Sequence, residues 1–262
     1  MTLSGILYYM GKILVIDSGV GGISTLCCIK AVLPCEEYIY FADKRFMPYG
    51  DKSENVIKER VVAICKHFFS KEKIKAVVVA CNTATACGIE YLRKLNKHII
   101  FIGVEPAIKP AIKELKQGNI LVLVTPNTAR QQRFLDLIKL CGQQSAADTM
   151  RDFMLKSDCR PQIIITPMPR LAPLIEDNIL SLHKITQKIH QMLAPYKRRN
   201  IESIVLGCTH YCFIKNTVAE FLSAKIYDGN IGAAMRLYDL LKSQNLINRK
   251  GYCTIEFIKT LD

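Results

Sequence analysis

The sequence predicts an α/β protein built from two similar, doubly wound parallel-sheet domains that face each other across a central cleft. Three observations carry this expectation. Apolar runs of strand length alternate with segments of helical period along almost the whole chain. These runs are continuous rather than alternating, as in strands covered on both faces. The chain also echoes itself. Ala76-Val77-Val78-Val79-Ala80 leads into Cys81-Asn82-Thr83, and Ser203-Ile204-Val205-Leu206-Gly207 leads into Cys208-Thr209-His210. Ile13-Leu14-Val15-Ile16 is matched by Ile120-Leu121-Val122-Leu123.

Taken in order, Lys12 to Ile16 reads as a buried strand, followed by a glycine loop and a helix through Leu33. Tyr38 to Phe41 is a second strand. From Ser53 to Phe69 the positions Val56, Ile57, Val61, Ile64 and Phe68 fit a 3.6-residue period, with Ser53 as N-cap. A strand at 76–80 precedes a helix to Leu95, a strand at Ile99–Gly103 and a helix at Glu105–Lys116. The second round opens with Ile120–Val124 and a helix near Thr128–Leu140. It continues with a strand at Ile163–Ile165, helices around Leu171–Glu176 and Ser181–Leu193, and the strand at 203–206. A short strand at Ala224–Tyr227, a helix at Gly232–Ser243 and an edge strand at Tyr252–Ile258 close the chain. Residues 142–160 are polar and weakly patterned and receive no assignment. The expected division is 1–104 plus 213–262 for the first domain and 105–212 for the second.

Composition narrows the function classes. At 262 residues, half of them hydrophobic, the chain can bury one large core or two ordinary ones. No apolar run reaches membrane-spanning length, so no membrane partner is expected. Ile6 to Met10 lacks a basic start and a small-residue cleavage site, and reads as a leader strand or an alternative start. The eleven cysteines are odd in number and scattered, which points to a reduced cytoplasm rather than a disulfide scaffold. The formal charge of +13 raises nucleic acid as a partner. Its Lys and Arg residues are dispersed, however, apart from Lys197-Arg198-Arg199, and no DNA- or RNA-binding signature accompanies them. We read the charge as a solvated basic surface that also draws in small anions.

The chemistry gathers at the strand ends, where open α/β sheets bind their ligands. Asp17-Ser18-Gly19-Val20-Gly21-Gly22-Ile23-Ser24 imitates a dinucleotide loop, with Asp43 where a ribose-binding acid would sit. Asp17 would repel a pyrophosphate, and a loop of free N–H groups at a helix start holds a carboxylate equally well. Asp17 is then a proton partner or orienter. Cys81 and Cys208 have bland readings as core hydrophobes, as a zinc set with His210, or as a disulfide. Against these stands their repetition in both halves, which a core cysteine does not require. A thiol, with its ordinary pKa of about 8.5, suits acid–base work near neutrality, and a helix N-terminus is expected to lower that value. His210 is the natural partner for Cys208. Glu176 has two readings, a partly buried acid/base group or a surface residue at a helix end.

Jointly these segments carry a resemblance. Asp17-Ser18-Gly19-Val20-Gly21-Gly22, Phe41-Ala42-Asp43 with Pro48-Tyr49-Gly50, and Ala80-Cys81-Asn82-Thr83-Ala84-Thr85-Ala86 come first. Gly103-Val104-Glu105-Pro106-Ala107 and Gly207-Cys208-Thr209-His210-Tyr211 follow, in an order similar to that of the glutamate racemases within the aspartate/glutamate racemase superfamily. The resemblance implies a cofactor-free, metal-free enzyme that interconverts L- and D-glutamate, supplies D-glutamate for peptidoglycan and so for cell-wall biogenesis and cell shape, and forms a homodimer. It implies Cys81 as the base acting on the D-enantiomer and Cys208 on the L-enantiomer, with Asp17 and His210 as their helpers and Glu176 as a further catalytic carboxylate. Ser18, Tyr49, Gly50, Asn82, Thr83, Thr128 and Thr209 match substrate-binding positions, together with Asp17 and His210. The chain departs from the family pattern at Asn127–Phe134, where only Thr128 survives among the polar contacts, at Lys44-Arg45-Phe46, and at Cys212. The rival expectations are a racemase of aspartate or hydantoin type and a non-catalytic binding protein.

Overall fold

The structure is a computed structural model that describes residues 11–141, 162–249 and 251–259. The run at 6–10 and the unassigned stretch at 142–160 lie outside the described residues. The chain forms two α/β units, each around its own parallel sheet, as the sequence predicts.

In the first unit the strands are β1 (Lys12–Asp17), β2 (Glu37–Ala42), β3 (Ile74–Val79), β4 (Ile100–Gly103) and β9 (Thr254–Ile258). They stand in the order β4-β3-β1-β2-β9, all parallel. Because side chains alternate along a strand, β1 feeds two cores. Leu14 and Ile16 join the helices Glu54–Lys71 and Asn82–Leu95 on one face. Ile13 and Val15 join Ile23–Val32 and Asn230–Ser243 on the other. Ser53 caps its helix by accepting from the Val56 N–H at 3.4 Å, and β9 takes the sheet edge beside β2.

The second unit holds β5 (Asn119–Val124), β6 (Ile163–Pro167), β7 (Ile201–Gly207) and β8 (Lys225–Asp228), ordered β6-β5-β7-β8 and again parallel. The sequence placed 213–228 with the first domain, and the structure corrects this. β8 ladders onto β7 with Ser203 opposite Lys225 and Leu206 opposite Asp228, so the units are 1–105 plus 229–262 and 106–228. At the return point a Cβ on Gly229 would fall 2.1 Å from the Glu105 carbonyl oxygen, so only glycine lets the two chain crossings abut. Helix limits also shift. The segment expected from Glu105 is helical only over Ile108–Glu114, since Pro106 disfavours helix at the residue before it. The helix expected near 128–140 is broken at an extended Gln131, giving Pro126–Arg130 and then helical residues 132–141. The span 181–193 is a 3-10 turn, Leu182–Ile185, running into the helix Thr186–Leu193. No described helix is long and apolar enough to cross a membrane.

One buried charge pair ties the carboxy-terminal segment to the first sheet. Lys75 Nζ lies 2.5 Å from Glu36 Oε2 and donates to the Leu246 carbonyl at 2.7 Å, while Glu36 Oε1 accepts from the Asn248 N–H at 2.9 Å. Both side chains are fully buried, and burial pushes the Lys75 ammonium below its ordinary pKa. Removing one partner strands the other charge. Lys75→Met is therefore expected to cost ~3–5 kcal/mol in urea denaturation, and Glu36→Gln on the same background to recover much of the loss.

Candidate active site

Both sheets reverse their winding beside the first strand of the unit. β1 lies between β2 and β3, and β5 between β6 and β7, so successive crossovers leave in opposite directions and open a crevice at the strands' carboxyl ends. The residues singled out by the sequence fall at these two crevices, each within its own unit.

In the first unit β1 ends in Asp17 and Ser18, and β3 runs through Ala80 to Cys81, which caps the helix Asn82–Leu95. Cys81 Sγ lies 3.8 Å from Ser18 Oγ. Asp17 is fully buried, and its Oδ1 accepts from the Gly19 N–H at 2.9 Å. The glycine loop thus turns an amide onto the chain's own carboxylate, while the Tyr40 hydroxyl holds the Gly19 carbonyl at 2.7 Å. A Cβ on Gly22 would stand 2.7 Å from Asp17 Cβ and 2.9 Å from Ala80 Cβ, so the close packing of loop on strand requires glycine. The dinucleotide reading fails at Asp43 as well. That carboxylate is buried and taken up by Arg60, whose Nε and Nη2 donate to Oδ2 and Oδ1 at 2.8 and 2.7 Å, and by the Tyr49 hydroxyl at 2.6 Å. Tyr49 and Gly50 are buried at the end of the same loop. Asn82 and Thr83 are buried in the first turn of the Cys81 helix, and Asn82 Nδ2 donates to the Val104 carbonyl at 3.0 Å.

The expected lowering of the Cys81 pKa is reversed. Burial and then the Asp17 charge push the thiol up to about 12, against the opposing N–H groups of Ala84 and Thr83 and the Ser18 hydroxyl.

In the second unit β7 delivers Cys208, Thr209 and His210, all buried. Cys208 Sγ lies 3.9 Å from His210 Nδ1, and His210 Nε2 lies 2.8 Å from Glu176 Oε2. With its side chain only 8% exposed, Glu176 is not a surface residue; Leu171 and Ile175 anchor its helix in the core. A carboxylate on Nε2 fixes that nitrogen as the proton carrier and turns the Nδ1 lone pair toward the sulfur. Thr128 is buried beside Thr125, with hydroxyls 2.9 Å apart, and Thr125 Oγ1 also accepts the Thr128 N–H at 3.2 Å. The sequence does not single out Thr125, and it marks Tyr211 only as part of the Gly207–Tyr211 segment. The Thr125-Pro126 helix-start signal could have revealed the first. Nothing local foretells that the Tyr211 hydroxyl donates to the Met168 carbonyl at 3.3 Å and approaches that of Val124 at 3.5 Å.

The raised thiol makes a stability prediction. An unfolded cysteine ionises above about pH 8.5, whereas folded Cys81 holds its proton to about 12. Its contribution is therefore intact below the unfolded value and is lost as pH climbs between the two. Cys81→Ser should make the alkaline fall in unfolding free energy shallower by about 1.4 kcal/mol per pH unit in that window, measured by urea titration.

No family model matches the chain. Among curated proteins it is 37% identical over 251 residues to a glutamate racemase of Clostridium novyi, covering 94% of this chain and 90% of the relative. Among solved structures it resembles Escherichia coli glutamate racemase in complex with L-glutamate and an activator, with a TM-score of 0.78, 27% identity and coverage of 96% and 99% of the two chains. Francisella tularensis glutamate racemase in complex with D-glutamate gives a TM-score of 0.76 at 26% identity, covering 95% of this chain and 88% of that one. Identity at this level over nearly full length, with the same two-sheet architecture, places the chain: it belongs to the glutamate racemase family, an isomerase acting on an amino acid.

Proposed function

We propose that this protein interconverts L- and D-glutamate by a two-cysteine acid–base mechanism that needs no cofactor or metal. The observation that carries this reading is the repetition of one device. Each crevice holds a buried cysteine just past a strand end, with a hydroxyl or imidazole within 4 Å of sulfur and a carboxylate behind it. Racemisation removes a proton from one face of the α-carbon and returns one to the other, so one group per face is the economical arrangement.

In the L-to-D direction Cys208 acts as thiolate. His210, oriented by Glu176, holds the displaced thiol proton as imidazolium, and Cys208 accepts the α-proton. Cys81, kept protonated by burial and by Asp17, delivers its proton to the opposite face and is left as thiolate. The reverse reaction exchanges the roles, with Asp17 serving Cys81. The intervening carbanion is stabilised by donors from Ser18, Asn82, Thr83 and Thr209 in a site closed to water. Tyr49, Gly50 and Thr128 help hold the substrate carboxylates. The Francisella tularensis and Escherichia coli enzymes, in complex with D-glutamate and L-glutamate respectively, support a substrate accepted as both enantiomers. We assign the product to peptidoglycan synthesis, and the protein to a reducing cytoplasm in which buried thiols persist, as a homodimer.

Cys81→Ser and Cys208→Ser should each lower turnover by at least ~10³-fold, with exchange of the glutamate α-proton in deuterated water as the measurement. Wild-type-like exchange by both variants would end the two-cysteine reading. Glu176→Gln should cost roughly 10²-fold and His210→Asn more, since the first only loosens the imidazole while the second removes it; polarimetric kinetics in both directions check the ranking.

A further inference from the structure

We propose that Arg60 is a positioning residue for this reaction, seated between the Asp43 carboxylate and the Phe46 ring and setting the Tyr49–Gly50 segment against Cys81. The inference rests on the reading of Cys81, Tyr49 and Gly50 as substrate-facing groups.

Arg60 sits on the second turn of the helix Glu54–Lys71, away from every segment that carries the family resemblance. Its guanidinium is nevertheless closely held and largely buried. It grips both oxygens of Asp43, at 2.7 and 2.8 Å, in the planar fork that only arginine offers. Its Cζ lies 4.2 Å from the centroid of the Phe46 ring. Phe46 closes the short 3-10 turn Lys44–Phe46 that follows Asp43, and supplies the clamp's second jaw. Asp43 then distributes the constraint. Its Oδ2 accepts the Tyr49 hydroxyl at 2.6 Å, and its backbone N–H donates to the Asp17 carbonyl at 2.8 Å. One guanidinium therefore holds a residue whose carboxylate bonds the loop bearing Gly50 and whose backbone N–H bonds the carbonyl of Asp17, the residue behind Cys81. Tyr49 is buried in the same apolar cluster as Cys81, and burial, then Asp43, raise its phenol pKa.

Charge balance gives Arg60 its second effect. Asp17 and Asp43 are both fully buried in this unit, and the proposed substrate brings two carboxylates more. Pairing Asp43 with Arg60 cancels one of the buried negative charges. Loss of Arg60 would leave Asp43 unpaired next to an anionic substrate and release Tyr49 from its fixed acceptor.

The test compares Arg60→Met, Arg60→Lys, Tyr49→Phe and Asp43→Asn/Arg60→Met with wild type and Cys81→Ser. Steady-state kinetics and the α-deuterium isotope effect are read at a temperature where circular dichroism shows each variant folded. Misplacement by a fraction of an ångström to 1 Å predicts a kcat loss of about 10- to 100-fold for Arg60→Met, with an isotope effect larger than that of wild type. Arg60→Lys should fall between, and the double variant should be more active than Arg60→Met because its stranded carboxylate is gone. Tyr49→Phe keeps the ion pair, and so the fold, and should still lose kcat. A merely structural arginine would lower kcat only by the inactive fraction, leaving KM and the isotope effect unchanged; that result, or normal kinetics in folded Arg60→Met and Tyr49→Phe, overturns the inference. If Cys81→Ser is inactive while these variants behave as wild type, this inference alone fails; if Cys81→Ser racemises normally, the reading of the site fails with it.

Discussion

The chemistry of this chain depends on a backbone constraint, the reversal of winding in each parallel sheet. Where consecutive crossovers leave a strand in opposite directions, no helix covers the carboxyl ends of the two central strands. β1 beside β3 and β5 beside β7 each make such an opening. Everything functional follows from what the chain places there. Two strands bring two side-chain sets within reach of one point, and the helix that follows β3 aims its first N–H groups at the same place. Cys81 is the capping residue of that helix, so its sulfur is held by backbone geometry rather than by a mobile loop.

The two crevices share a plan but differ in electrostatics. Cys81 has a buried carboxylate for a neighbour and is pushed toward the thiol. Cys208 has an imidazole whose far nitrogen is held by Glu176. In the proposed reaction this asymmetry primes the L-to-D direction, one cysteine ready to give a proton and the other ready to lose one. A pair of identical environments would favour both thiols or both thiolates, and either state stalls proton transfer. The sequence echo is therefore a shared scaffold carrying two different acid–base environments.

Most of the architecture was legible because parallel strands buried on both faces are written as continuous apolar runs. Ile13–Ile16, Val77–Val79, Leu121–Val124 and Ile204–Leu206 need no partner to be recognised. The return to the first unit was not legible. Lys225–Asp228 is a four-residue edge strand, partly exposed, and nothing in it says which sheet it joins. The candidate site divides the same way. Residues adjacent to a strand end could be named from position alone. The contacts that decide their chemistry join residues far apart in sequence, such as Glu176 to His210 and Arg60 to Asp43. The pKa of Cys81 was misjudged for the same reason. The helix terminus that lowers it is local and visible, whereas full burial and the approach of Asp17 exist only once β1 and β3 pair.

The glycine loop shows why a motif must be weighed with its first residue. Three glycines after a strand suggest an amide cradle for phosphate, yet here Asp17 reaches back to the Gly19 N–H, and Tyr40 occupies the Gly19 carbonyl. A pyrophosphate entering this loop would meet a buried carboxylate at its centre. The second acid that a nucleotide ribose would require, Asp43, is already saturated by a bidentate guanidinium and a phenol. The same glycines that would admit a phosphate instead let the loop close on Ala80, where a Cβ at Gly22 has no room. Close packing of loop on strand brings Ser18 to the Cys81 sulfur. In the proposed reaction the loop's small residues thus serve proton chemistry at a thiol, and the carboxylate that would repel a nucleotide is the one that reaction uses.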